Sequence, residues 1–150
     1  MTKPDGSARY AYVTFLMLND SYLPGALVVG HALRKQGTRA DLVCLVTEEI
    51  TPEARNALKL VFDHVVHVHK VYVPHVRRQA RQDRPYFFTR VNALRLGADG
   101  DLGFSYEKIV VLDADVLPFS VDYATIYGLP DGTPNAFEEA RIVLHDVTGM

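Results

Sequence analysis

The stretch Ile109-Val-Val-Leu-Asp-Ala-Asp115 decides how this chain is read. Its first four residues form a short, continuously apolar run, three of them β-branched, which suits a strand covered on both faces. The run stops on two carboxylates separated by one small residue. Burying both charges unpaired would be costly, so Asp113 and Asp115 mark the C-terminal end of the strand. Ionised carboxylate oxygens are hard ligands suited to Mg²⁺ or Mn²⁺. Ala114 between them lets a ligand approach the backbone. A strand-end turn in which one Asp caps an amide is the plainer alternative.

Working outward from that strand, the chain alternates strand and helix signals. Ala8–Met17 is rich in β-branched and aromatic residues and reads as a strand. After Asn19-Asp20-Ser21, apolar residues at Leu23, Leu27, Val28, Ala32 and Leu33 recur at helical spacing, with Pro24 in the first turn and Gly37 at the stop. Leu42–Val46 is a second strand. Thr51-Pro52-Glu53 opens a helix with a capping hydroxyl, a proline and an acid at the positive end, and that helix runs to about Leu60. Val65–Val68 is a third strand. Residues 70–85 read as a basic loop, and Tyr86–Leu96 as a helix with Phe87, Val91 and Leu94 on its apolar face. The pattern predicts an α/β domain with a largely parallel sheet and helices on both faces. Ligands of such sheets bind at the C-terminal ends of strands, here after Met17, Val46, Val68 and Leu112.

The chain has 150 residues, enough for one domain, read as 8–150 behind a disordered leader at 1–7. The one cysteine, Cys44, excludes an internal disulfide framework and reads as a buried thiol. No apolar stretch approaches a membrane span, and the polar N-terminus does not resemble a signal peptide, so a cytoplasmic, reducing compartment is expected. The net charge of −2 hides an uneven distribution. Residues 75–98 carry six arginines and one Asp, whereas 99–150 carry ten acidic groups and two basic ones. A basic segment followed by an acidic one suits a site that handles an anion and a metal together, although two solvated faces would look the same. The acidic final third and a pI of 6.3 argue against a nucleic-acid partner.

Arg84 and Arg90 flank Pro85-Tyr-Phe-Phe-Thr89, and the planar guanidinium fork suits phosphate. Arg77, Arg78 and Arg81 read as a solvated face or a lid. Asn19 and Tyr22, directly after the first strand, could present a ring to a nucleobase or form a turn with a core aromatic. His67 and His69 point to one face of the third strand, but no carboxylate is placed by the sequence to complete a metal motif, so they read as structural or surface groups. No G-x-x-x-x-G-K-[ST], G-x-G-x-x-G or G-x-S-x-G occurs, which argues against a P-loop hydrolase, a dinucleotide-binding oxidoreductase and a serine hydrolase.

Tyr12-Val-Thr14, Asn19-Asp20-Ser-Tyr22, Gly25-Ala-Leu-Val-Val-Gly30 and Ala32-Leu33, followed by Val111-Leu-Asp113-Ala-Asp115, resemble the glycogenin-like glycosyltransferases of family 8 over about residues 8–128. The resemblance implies a GT-A fold that binds a nucleotide-diphosphate sugar, expected to be a UDP-sugar, with Mn²⁺ or Mg²⁺. It implies nucleobase contacts from Thr14 and Tyr22, a phosphate or sugar contact from Arg90, and metal contacts from Asp113 and Asp115, the first also touching the ribose. Asn19, Arg84 and Ala114 complete the expected donor site. The loop Phe15-Leu-Met-Leu-Asn19 is one residue longer than the family pattern. That pattern also continues with an Asn-x-Gly strand and a late His-x-x-Gly-x-Lys segment, and Pro134–Arg141 is not that strand. The chain therefore resembles the nucleotide-binding half, with His145 as a conceivable substitute ligand, and no catalytic base is assignable. Retaining transfer to an acceptor of unknown kind is the implied reaction.

Two rivals stand beside it. The strand and Asp-x-Asp also fit a haloacid-dehalogenase-like phosphatase, with Asp113 as nucleophile. That reading needs a later lysine, and none follows Lys108. A module that binds a nucleotide or nucleotide sugar without turnover is the second.

Overall fold

The computed structural model describes residues 2–74, 84–118 and 144–146. Strands β1 (Tyr10–Leu16), β2 (Asp41–Val46), β3 (His64–His67) and β4 (Lys108–Val111) form one parallel sheet in the order β3-β2-β1-β4. The chain builds outward from β1 to β3, then returns to place β4 on the other side of β1. The order therefore reverses between β1 and β4, and the C-terminal ends of those two strands mark a topological switch point, where ligands of open α/β sheets bind.

Residues in β1 and β2 alternate between two buried faces. Tyr12, Leu16, Leu42, Cys44 and Val46 join Leu33 and Leu58 in one core. Ala11, Val13, Phe15, Val43 and Leu45 join Val68, Leu96 and Tyr106 in the other. Burial on both sides explains why these strands read as unbroken apolar runs. β4 differs from the sequence expectation. It pairs with β1 alone among the described residues, and Val111 is exposed, so the most apolar-looking strand lies at an edge.

Helix α1 (Leu23–Lys35) starts with proline in its first turn and ends as the sequence predicts. Gly37 takes a φ of 71°, and the Thr38 amide donates to the Leu33 carbonyl at 3.3 Å, which closes the last turn. Helix α2 (Pro52–Leu58) is capped by Thr51, whose hydroxyl accepts from the Ala54 amide at 3.2 Å. Residues 2–8, which include most of the expected leader 1–7, close into a turn: Thr2 bridges Ala8, and Lys3 Nζ donates to Ser105 Oγ at 2.6 Å.

Arg84–Leu96 is wound as a 3-10 helix instead of the expected α-helix, with an inverted face. Phe88, Val91 and Leu94 are exposed, whereas Thr89, Asn92, Ala93 and Leu96 are buried. Three residues per turn stack positions 88/91/94 in one row, 89/92/95 in another and 90/93/96 in a third. The buried polar row ties down the incoming chain. The Thr89 hydroxyl accepts from the Val71 amide at 3.0 Å, and Asn92 Nδ2 donates to the His69 carbonyl at 3.1 Å. Strand β5 (Val116–Pro118) follows β4 and pairs antiparallel with β6 (Leu144–Asp146).

Candidate functional site

The Asp113–Asp115 segment leaves β4 in a hydrogen-bonded turn. The Leu112 amide still donates to the Val13 carbonyl at 2.8 Å, continuing the sheet, and the Val116 amide donates to the Asp113 carbonyl at 3.2 Å. Asp113 thus occupies the first position of a four-residue turn, where aspartate is favoured. Asp113 is half-buried and Asp115 exposed. The start of α1 packs directly against this turn, because Gly25 has no side chain. A Cβ there would lie 2.2 Å from the Ala114 carbonyl oxygen.

Arg90 sits in the inward 90/93/96 row of the 3-10 segment and donates from Nη1 to Asp113 Oδ1. Its guanidinium carbon lies 5.0 Å from the centre of the Phe87 ring, and its Nε is buried without a partner among the described residues. A partly exposed guanidinium held by one carboxylate and one ring face is suited to bind an anion. Arg84 opens the same segment.

On the β1 side, the loop turns abruptly at Leu18, which has a φ of 71°, and the Asn19 amide donates to the Met17 carbonyl at 2.9 Å. That is a γ-turn centred on a leucine, a strained conformation. The Leu18 amide donates to Thr47 Oγ1 at 3.0 Å, which anchors the turn to the end of β2. Asn19 Oδ1 accepts from the Ser21 amide at 2.9 Å, capping the one-turn 3-10 segment Asp20–Tyr22. Asp20 Oδ2 accepts from the Thr51 hydroxyl at 2.6 Å and so joins this loop to the start of α2. Tyr22 is 52% exposed and is an open ring, unlike the core aromatic that a plain turn would carry.

Thr14 lies two residues before the end of β1, 1% exposed, with its Cα opposite that of Cys44. Its hydroxyl has no partner among the described residues. It sits within the strand, whereas Asn19, Tyr22, Asp113, Ala114 and Asp115 lie beyond the C-terminal ends of β1 and β4, and Arg90 reaches Asp113 from the 3-10 segment. The β5–β6 register sets His145 opposite Leu117, two residues beyond Asp115. Arg77, Arg78, Arg81 and Pro134–Arg141 lie outside the described residues.

Sequence spacing did not reveal two features. Gly25 belongs to the motif Gly25–Gly30, but its contact with Ala114 depends on how α1 crosses the sheet. Glu48, after β2, joins His67 and His69, so that one ligand atom from each lies within 4.8 Å of the others. This corrects the expectation that no carboxylate accompanies those histidines.

A parallel sheet whose order reverses beside an Asp-x-Asp turn defines an α/β fold of the GT-A-like class. No family model matches the chain. It is 36% identical to a glycogenin of Neurospora crassa over 141 residues, covering 86% of this chain and 19% of that protein. It is 30% identical to human glycogenin-1 over 142 residues, covering 89% of this chain and 38% of that protein. A putative UDP-glucuronate:xylan alpha-glucuronosyltransferase 5 of Arabidopsis thaliana is 26% identical over 120 residues, covering 79% of this chain and 20% of that protein. The chain belongs to the glycogenin-like glycosyltransferases of family 8. It spans between about a fifth and two-fifths of the length of these three relatives. No helix among the described residues is long and apolar enough to cross a membrane.

Proposed function

We propose that this chain binds a UDP-sugar with a divalent ion, Mn²⁺ or Mg²⁺, and serves retaining transfer of the sugar to an acceptor. The observation that carries this reading is the placement of Asp113 and Asp115 on one turn at the switch point, with Arg90 bonded to Asp113. The donor set fits a hard cation. It consists of carboxylate oxygens, one acid is exposed, and the half-buried Asp113 has a second oxygen besides the one Arg90 engages. The ion, when bound, would offset charge on the diphosphate as the glycosidic bond breaks.

The remaining work falls to the chain's own residues. Arg90 holds its guanidinium beside Asp113, and the planar fork suits a phosphate oxygen. Tyr22 offers an open ring for stacking on uracil, from a loop that Asn19 caps and Asp20 ties to α2. Thr14 shapes the floor beneath the base, and Arg84 lies at the end of the 3-10 segment that carries Arg90. Arg90 and a metal ion would compete for Asp113 in the free chain. An arriving diphosphate relieves that competition by giving both cations a second anionic partner.

Binding of nucleotide without turnover is the second reading for this length of chain, because it spans less than two-fifths of each of the three relatives described. Calorimetry with UDP and UDP-sugars, with and without Mn²⁺, on wild type and Asp115→Ala tests the proposal. Metal-dependent UDP binding that Asp115→Ala abolishes is expected. Failure of wild type to bind UDP under any metal condition overturns the proposal. Formation of a transfer product separates turnover from binding alone.

A further inference from the structure

We propose that Glu48, His67 and His69 bind one divalent transition-metal ion, zinc foremost, at a site separate from the Asp113–Asp115 turn. The register of β3 creates the pair of histidines. His67 ends the strand, and the Val68 amide donates to the Val46 carbonyl at 2.9 Å, which extends the pairing by one residue. Val68 is buried in the second core, so the residues on either side of it face outward together. The two imidazoles stand 5.2 Å apart, centroid to centroid, with planes at 89°. Glu48 reaches them from the loop after β2, with its Oε2 3.8 Å from His67 Nε2. That loop is held in shape by Arg55, which donates to the carbonyls of Ile50 and Thr47 at 2.9 and 3.0 Å.

The ligand chemistry favours a borderline cation. Two imidazole nitrogens and one carboxylate suit zinc, copper or nickel better than the oxygen-seeking Mg²⁺ or Mn²⁺. The three ligand atoms lie within 4.8 Å of one another, whereas ligands around a tetrahedral zinc ion stand about 3.4 Å apart. All three side chains are exposed, so modest rotamer adjustments close that gap. Three protein ligands leave a fourth position for water or another donor.

Lys70 is the cation already present. Its Nζ lies 3.4 Å from Glu48 Oε1 and is bonded to Glu49. A metal ion that takes Glu48 leaves Lys70 paired with Glu49, so no charge is stranded. The two acids against one lysine also leave the cluster net negative, which favours cation entry. β3 and β4 are the opposite edge strands of the sheet, three strand spacings or about 14 Å apart. The two sites therefore share no ligand and are separable by mutation.

The test titrates ZnCl₂ into Asp113→Asn/Asp115→Asn chain by calorimetry and follows histidine ring nitrogens by NMR in the wild type. One zinc per chain is expected, with two imidazoles shifting together. His67→Ala, His69→Ala and Glu48→Gln should each weaken binding by at least about tenfold. Lys70→Ala should leave it unchanged or tighter. The proposal is overturned if zinc affinity survives both histidine substitutions, if ring signals do not move at one equivalent, or if no zinc binds up to about 1 mM.

Discussion

Gly25 in α1 and Ala114 in the strand-end turn approach so closely that a Cβ on the glycine would lie 2.2 Å from the alanine carbonyl oxygen. The contact is with backbone, which cannot swing aside as a flexible side chain would. Helix α1 therefore sets the position of the turn that carries both acids. Gly25→Ala should displace that turn and cost about 1–3 kcal/mol of stability from overpacking. Metal-dependent UDP affinity should fall at least about tenfold, or ~1.4 kcal/mol. Calorimetry beside thermal melting checks both, and unchanged UDP affinity would show that α1 does not position the acids.

Arg90 should influence metal and nucleotide in opposite directions. It engages Asp113 before any ligand arrives. Arg90→Ala frees that carboxylate, so Mn²⁺ should bind the nucleotide-free chain more tightly than it binds wild type. UDP should bind the same variant about tenfold or more weakly, since a charge-assisted contact is lost. In wild type, UDP and Mn²⁺ should strengthen one another by about 5–150-fold, the usual range of a coupling free energy. Equal metal affinity in wild type and Arg90→Ala would remove the competition.

Leu18 carries the strain of the β1–α1 loop. Its φ of 71° is tolerated better by asparagine than by a β-branched residue. Leu18→Val should therefore be less stable than Leu18→Asn, by about 1 kcal/mol, although valine is the more apolar replacement. Urea midpoints of the two variants decide this. The reverse order would mean that side-chain burial outweighs backbone conformation at this turn.

Cys44 is buried between the two adjoining strands, and burial pushes its thiol up from 9.0 to about 12. The native thiol should resist Ellman's reagent at neutral pH and react only on unfolding. The folded value lies above the unfolded one. The associated stability is therefore complete below about pH 9 and declines as pH rises toward 12. Subtracting the stability profile of Cys44→Ala from that of wild type isolates this contribution, and no difference in alkaline slope would refute it.

Much of this architecture was legible in the sequence because the forces that set it are local. Pro24 and Gly37 bracket α1, Thr51 caps α2, and the apolar runs of β1 and β2 reflect burial on both faces. Asp113 and Asp115 stand out because two acids end an apolar run, although that run forms an edge strand and not a buried one. Over Tyr86–Leu96 the α-helical spacing of apolar residues points to the wrong face. Phe87, Val91 and Leu94 look like a core face at 3.6 residues per turn, yet they are exposed. The 3-10 winding buries Thr89 and Asn92 instead, because their side chains satisfy the backbone of residues 69–71.

The sequence by itself determined that this is an α/β chain with strand-end acids, a basic segment before them and a glycogenin-like motif order. Such features depend on residue type and near-neighbour spacing. Only the tertiary structure decided that the sheet reverses between β1 and β4, that Arg90 turns inward onto Asp113, and that Gly25 supports Ala114. It alone brought Glu48 to His67 and His69 across 19 and 21 positions of chain. Contacts of that kind follow from strand order and register, which arise from how the elements pack rather than from any local run of residues.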